Sequence, residues 1–221
     1  MADVTLYQFP GACSHVTMVA LEQTGLGYVT YLANPLNAEV WEEYLAINPK
    51  GKIPALRIGD RVLTENAAII YHLHTCFPNA CLLPVEPVEF GDNQCLQDLV
   101  WCSSTLHPMT RMINAPFRFN KTGNTEGITA LGVEYYGPVL NLLSERFSAD
   151  KWWYGDEWSI VDSYLTWNYS TAQRAGLDIS AYPAIARHAE DVRAHPAEQR
   201  TMAREATELK QLGDLPTTPK Q

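Results

Sequence analysis

Apolar and polar positions along the first third of the chain alternate between the periods of strand and helix. VTLYQF (4–9) is a short β-rich run, followed by a Pro10-Gly11 turn and a helical segment from about Ser14 to Gly25, where glycine makes a C-terminal stop. YVTYL (28–32) returns to strand character, and AEVWEEYLAI (38–47) predicts a short helix ended by Asn48-Pro49. IPALRI and RVLT, parted by Gly59-Asp60, predict a hairpin, because such a pair supplies the positive φ angles of a two-residue turn. In NAAIIYHLHTCF, Ile70, Leu73 and Phe77 mark one face of a helix. The order β-α-β-α-β-β-α describes a small α/β domain over 1–78.

Residues 79–88 change character. With Pro78 just before them and Pro84 and Pro87 among them, they read as a linker. Beyond it strand signals vanish. Helical stretches are expected at roughly 89–113, 126–147, 160–175, 183–194 and 197–211, which makes 89–221 an all-helical domain, and the tail GDLPTTPKQ is polar and proline-containing.

Composition narrows the function classes. A chain of 221 residues, 46% of them hydrophobic, can bury roughly 70% of its unfolded surface. Its net charge of −9 argues against nucleic acid and against anionic membrane surfaces, both of which call for a basic face. Met1-Ala2-Asp3 opens no basic-then-apolar leader and no run of about 18 apolar residues occurs, so a cytoplasmic, soluble protein is expected. Five cysteines, Cys13, Cys76, Cys81, Cys95 and Cys102, form neither a C-x-x-C pair nor a zinc-type spacing, and their odd number suits a reducing compartment. His72 and His74, two apart on a helix, face away from each other, so no metal is expected.

Four stretches carry candidate chemistry. PGACSH sets Cys13 and Ser14 at the mouth of a helix, where backbone amides favour a thiolate and a protonated His15 would add to that effect. In NPKGKIP, a cis Ile53-Pro54 bond would turn the backbone before it outward to an extended ligand, while a trans proline opening an edge strand is the commoner arrangement. TENAAI places Glu65 and Asn66 at a strand-to-helix junction, where capping accounts for Asn66 and the free amides suit a carboxylate. His107 shares a mostly apolar stripe with Leu96, Val100 and Ser103, and Pro108 beside it should kink the helix. Trp101, Phe117, Phe119 and Trp167 could line an apolar site or serve only as core.

The ordered set PGACS, NPKGKIP, TEN and GDEWSIVDSYL resembles the cytosolic glutathione transferases, nearest to their bacterial beta-class pattern, over nearly the whole chain. The resemblance implies a thioredoxin-like N-terminal domain that binds glutathione, a helical C-terminal domain that shapes the second-substrate site, and a homodimer. It matches Ile53 to the residue whose backbone pairs with glutathione's cysteinyl part and Pro54 to the family's cis proline. Glu65 and Asn66 match the pair that holds the γ-glutamyl group, Asn66 departing from the usual Ser or Thr. Lys52 stands where some classes hold the glycyl carboxylate, or is a solvated lysine. Ser159 and Asp162 match the family's helix-capping box, a structural role.

Family members activate the glutathione sulfur with Tyr, Ser or Cys. The tyrosine place is Gln8 here, and alternation turns Tyr7 to the other face. Cys13 and Ser14 therefore remain, with His107 a further catalytic candidate close to the sulfur in the beta-class pattern. The leading expectation is conjugation of the glutathione thiolate to a small apolar electrophile. Glutathione-dependent thiol-disulfide exchange, deglutathionylation or aryl-ether cleavage through Cys13 is the first alternative, and a non-catalytic ligand-binding protein the second.

Overall fold

The structure, a computed structural model, describes residues 3–84, 92–120 and 123–212. By contact, the described residues up to Leu82 group with 196–212, and those of 83–195 form a second unit.

The first unit is built on a four-stranded sheet of order β2-β1-β3-β4: β1 (Val4–Gln8), β2 (Val29–Leu32), β3 (Ala55–Ile58) and β4 (Arg61–Thr64). β1 lies inside the sheet and every one of its residues is buried. It pairs in parallel with β2, Thr5 opposite Val29 through Gln8 opposite Leu32, and antiparallel with β3, Val4 opposite Ile58 through Tyr7 opposite Ala55. The parallel pair needs a crossover, which α1 (Ser14–Thr24) supplies, and Gly25 ends that helix in the left-handed conformation at φ 69°. α2 (Ala38–Ile47) starts on Asn37, whose Oδ1 accepts the N–H groups of Glu39 and Val40. β3 and β4 form the expected hairpin about Gly59-Asp60, and α3 (Asn66–Cys76) packs beside α1. This is the thioredoxin-like arrangement the resemblance implied.

The α-helices of the second unit are α4 (Asp92–Trp101), α5 (His107–Asn114), α6 (Glu126–Ala149), α7 (Ile160–Arg174) and α8 (Pro183–Ala194), with one isolated β-bridge between Trp152 and Gly155. The expected kink at Pro108 takes the form of a π-helical turn, Cys102–Leu106, whose widened bond runs from the His107 N–H to the Cys102 carbonyl. Proline has no N–H to donate to the preceding turn, and the ladder is re-spaced just ahead of it. α5 and α6 approach closely at Gly132, where a Cβ would stand 2.8 Å from Met112 Cβ.

Asp162 is a buried node. Ser159 and Asp162 form the capping box of α7, the Asp162 carboxylate accepting the Ser159 N–H and hydroxyl at 2.9 Å each. It further accepts the Trp153 N–H at 2.7 Å and lies 3.0 Å from His188 Nε2, with both side chains fully buried.

A last helix, α9 (Pro196–Leu212), departs from the expected division. It packs on α1 within the first unit rather than continuing the helical domain. The expected linker at 79–88 is described only as far as residue 84, and the tail from 213 lies outside the described residues. Among the described residues, no helix is long and apolar enough to cross a membrane.

Two substitutions test this packing. Gly132→Ala should cost about 1–3 kcal/mol by forcing α5 from α6. Asp162→Ala should cost about 3–5 kcal/mol by stranding His188 and the α7 amides. Equilibrium denaturant unfolding of the whole chain checks both.

Candidate functional site

The β1–α1 turn brings Cys13 to the start of α1. Ala12 N–H donates to the Phe9 carbonyl at 3.0 Å, and Gly11 takes a left-handed φ of 77° that glycine adopts without strain. The next residue, Ser14, is fully buried, its hydroxyl donating to Phe9 O at 3.2 Å and accepting the Phe9 N–H at 3.3 Å. Ser14 is thus spent on closing the turn. Cys13 is 5% exposed, and its thiol donates to the Ile53 carbonyl at 3.3 Å.

The Ile53-Pro54 peptide bond is cis. The segment before it is clamped from behind by two residues of and beside α2, a feature the sequence reading missed. Tyr44 OH and Asn48 Nδ2 both donate to the Lys52 carbonyl, the latter at 2.6 Å. Burial pushes the Tyr44 hydroxyl up to about 12, so it remains a donor at any ordinary pH. Tyr7 packs its ring into the same cluster, with ring centres 5.3 Å from Tyr31 and 5.7 Å from Tyr44. Lys52 itself has an exposed side chain, whereas Lys50 Nζ lies 3.0 Å from Glu65 Oε1 and 2.9 Å from Thr64 Oγ1. Both lysines belong to one short motif, and only the hairpin's position tells which one reaches Glu65.

Glu65 stands at φ 72°, a conformation that a side chain larger than that of glycine seldom adopts and that clusters at functional sites. Its carboxylate is exposed. Asn66 does not cap α3, as the sequence suggested. It is the first helical residue, and its buried amide turns inward, donating to the Cys13 carbonyl at 2.8 Å and accepting from Thr17 Oγ1 at 2.5 Å. The cysteine turn and the start of α3 are thereby tied together. Cys13, Ile53, Pro54, Glu65 and Asn66 all belong to the first unit.

His107 belongs to the second unit. Its Nε2 accepts from Arg111 Nε at 3.0 Å, and its ring meets Trp167 edge-on at 4.8 Å. Among the described residues, no three His, Cys, Asp or Glu side chains are grouped to hold a metal ion.

His15 is held by the last helix. Its ring bridges to α9, Nε2 lying 2.8 Å from Glu198 and Nδ1 2.9 Å from Glu205. Burial opposes a charge there, yet hydrogen bonds and Coulomb attraction from the two carboxylates outweigh it and push the ring up to about 10. Glu205 accepts the Gly11 N–H at 3.1 Å, and Glu208 accepts from Gln8 and Thr30 at 2.5 Å each.

Residues 2–75 match the family model of the glutathione S-transferase N-terminal domain. A maleylacetoacetate isomerase of Pseudomonas aeruginosa is 28% identical over 83% of this chain and 88% of its own length. A maleylpyruvate isomerase of Ralstonia is 29% identical over 81% and 87%. Among solved structures, a glutathione transferase homologue from Sulfitobacter with bound glutathione superposes with a TM-score of 0.81 at 28% identity, over 92% of this chain and 99% of that one.

A His15 pKa raised on folding stabilises the fold fully below pH 6.5, and that contribution is lost as pH climbs through about 10. The thermal midpoint should therefore fall more between pH 7 and pH 10 in the wild type than in His15→Gln. Parallel curves in calorimetry would contradict the charged bridge.

Proposed function

We propose that this chain is an enzyme of the glutathione S-transferase family that binds glutathione along Cys13, Ile53 and Glu65 and adds its thiolate to an electrophilic carbon of a small substrate. The observation that carries this reading is the Cys13 sulfur resting 3.3 Å from the Ile53 carbonyl. Glutathione has a cysteine at its centre, and a peptide laid against the Ile53 backbone brings its own sulfur up to Cys13.

The remaining groups suit the ends of that peptide. The exposed Glu65 carboxylate fits the γ-glutamyl ammonium, and the unpaired amides of the first α3 turn fit its carboxylate. The Asn66 side chain is already engaged with Cys13 and Thr17, so the Asn66 contact with ligand falls to its backbone. Lys52 offers an exposed cation for the glycyl carboxylate. An ordinary thiol has a pKa of about 8.5, and the amides at the mouth of α1, together with the Cys13 S–H once it turns from the Ile53 carbonyl to the ligand sulfur, favour the thiolate. Ser14 is left out of this role by its bonds to Phe9.

The isomerase names of the relatives favour a second outcome of the same first step. A thiolate that adds to a cis carbon–carbon double bond next to a carbonyl leaves a single bond, which rotates. Expelling the thiolate then restores the double bond as trans, and glutathione emerges unchanged. Conjugation differs only in that the carbon–sulfur bond is kept. The resemblance further supports a homodimer.

Rates with chlorodinitrobenzene and with a cis-enedioate test these readings together. Cys13→Ala should lower both by about 100-fold. Ser14→Ala should reduce stability with kcat preserved, and Glu65→Ala should abolish retention on immobilised glutathione. Full activity in Cys13→Ala would remove Cys13 from the chemistry, and unchanged retention of Glu65→Ala would remove the binding mode.

A further inference from the structure

The carboxylate of Glu205, on α9, brackets Cys13. One oxygen accepts the backbone N–H of Gly11 at 3.1 Å, and the other lies 2.9 Å from His15 Nδ1. Gly11 stands two residues before Cys13 and His15 two residues after it. Glu198 holds the second nitrogen of the same ring at 2.8 Å, and Glu208 takes the side chain of Gln8 at the end of β1. From the opposite direction, Asn66 holds the Cys13 carbonyl.

The geometry points to Glu205 as a positioning residue for the Cys13 turn, so that the reactivity of that sulfur depends on the C-terminal helix being docked on α1. A different set of contacts docks the helix farther along. Arg200 Nε reaches Glu22 Oε2 at 3.1 Å and its Nη2 the Glu22 carbonyl at 2.8 Å, while Arg204 pairs with the same carboxylate at 3.3 Å. Those pairs hold helix to helix. Glu205 instead reaches the backbone of the turn, accepting the N–H of Gly11, whose φ is 77°. Cys13 is buried to 5% exposure while this contact stands, so losing it should let the turn swing outward.

The inference rests on the role given to Cys13 above, and its test is readable without glutathione. Iodoacetamide labelling of the whole native protein, mapped by mass, gives the rate at Cys13 relative to the exposed Cys76 on α3 as an internal standard. Glu205→Ala should raise that ratio about 10-fold and lower the glutathione-dependent kcat by about 10- to 100-fold. Arg200→Ala removes one anchor of the helix while Arg204 and the Glu205 contact with the turn remain, and should leave both unchanged. Glu205→Gln keeps a carbonyl oxygen for Gly11 and should fall between wild type and Glu205→Ala; if the alanine variant does not fold, a rise of about 3-fold over Arg200→Ala in the glutamine variant decides the matter. Equal labelling ratios in the Glu205 and Arg200 variants would overturn the proposal, whatever the loss of stability. A chain that never binds glutathione yet shows the Glu205-specific opening would keep this inference and sink the proposed function. Glutathione chemistry with a Glu205-independent ratio would do the reverse.

Discussion

Two hydrogen bonds of one buried amide hold the Cys13 side of the sheet unit together. Asn66 donates to the Cys13 carbonyl and accepts from Thr17, joining the first turns of α1 and α3. An amide carries both a donor and an acceptor on one short arm, which a hydroxyl offers only through a single atom. This accounts for asparagine where the related pattern has serine or threonine. Removing it would take the acceptor from the buried Thr17 hydroxyl, at about 1–3 kcal/mol, and leave the Cys13 carbonyl with the Val16 N–H at 3.2 Å. With both helix mouths held, the amides that open them stay close to Cys13 on one side and Glu65 on the other.

The C-terminal helix completes the unit by a different kind of contact. Its buried positions include small residues, Ala197 and Thr201, but also Glu198 and Glu208. Burying carboxylates is tolerable only with partners, and each has them: His15 for Glu198, Gln8 and Thr30 for Glu208. Burial pushes the Glu208 carboxyl up, against the hydrogen bonds from Thr30 and Gln8 that draw it down. A helix docked through charges rather than through a wide apolar stripe leaves a polar pattern in the sequence. Such a pattern reads as a solvated surface helix.

That is why the elements were legible and the division of the chain less so. Period, turn residues and stops placed each strand and helix of the first unit, because β1, the Gly59-Asp60 hairpin and the glycine after α1 obey local rules. The place of α9 depends on partners about two hundred positions away, such as Gln8 for Glu208, which no local rule contains. Within the site, the cysteine turn, Pro54 and Glu65 were readable from their motifs. Three features were not: the inward turn of Asn66, the choice of Lys50 over Lys52 beside Glu65, and the capture of His15 by α9. Each depends on which way a side chain leaves an element whose position the sequence had identified.

In the proposed function, Cys13, Ile53 and the exposed Glu65 carboxylate make one strip of the first unit, suited to a short peptide with a thiol at its middle. The claim on which the account rests is that glutathione lies along this strip with its sulfur at Cys13. Amide NMR spectra recorded while reduced glutathione is titrated into the isotope-labelled protein test it most directly. Saturable shifts are expected at the N–H groups of Cys13, Ile53, Asn66 and Ala67. Shifts that leave these four unmoved, or none at all, would contradict it.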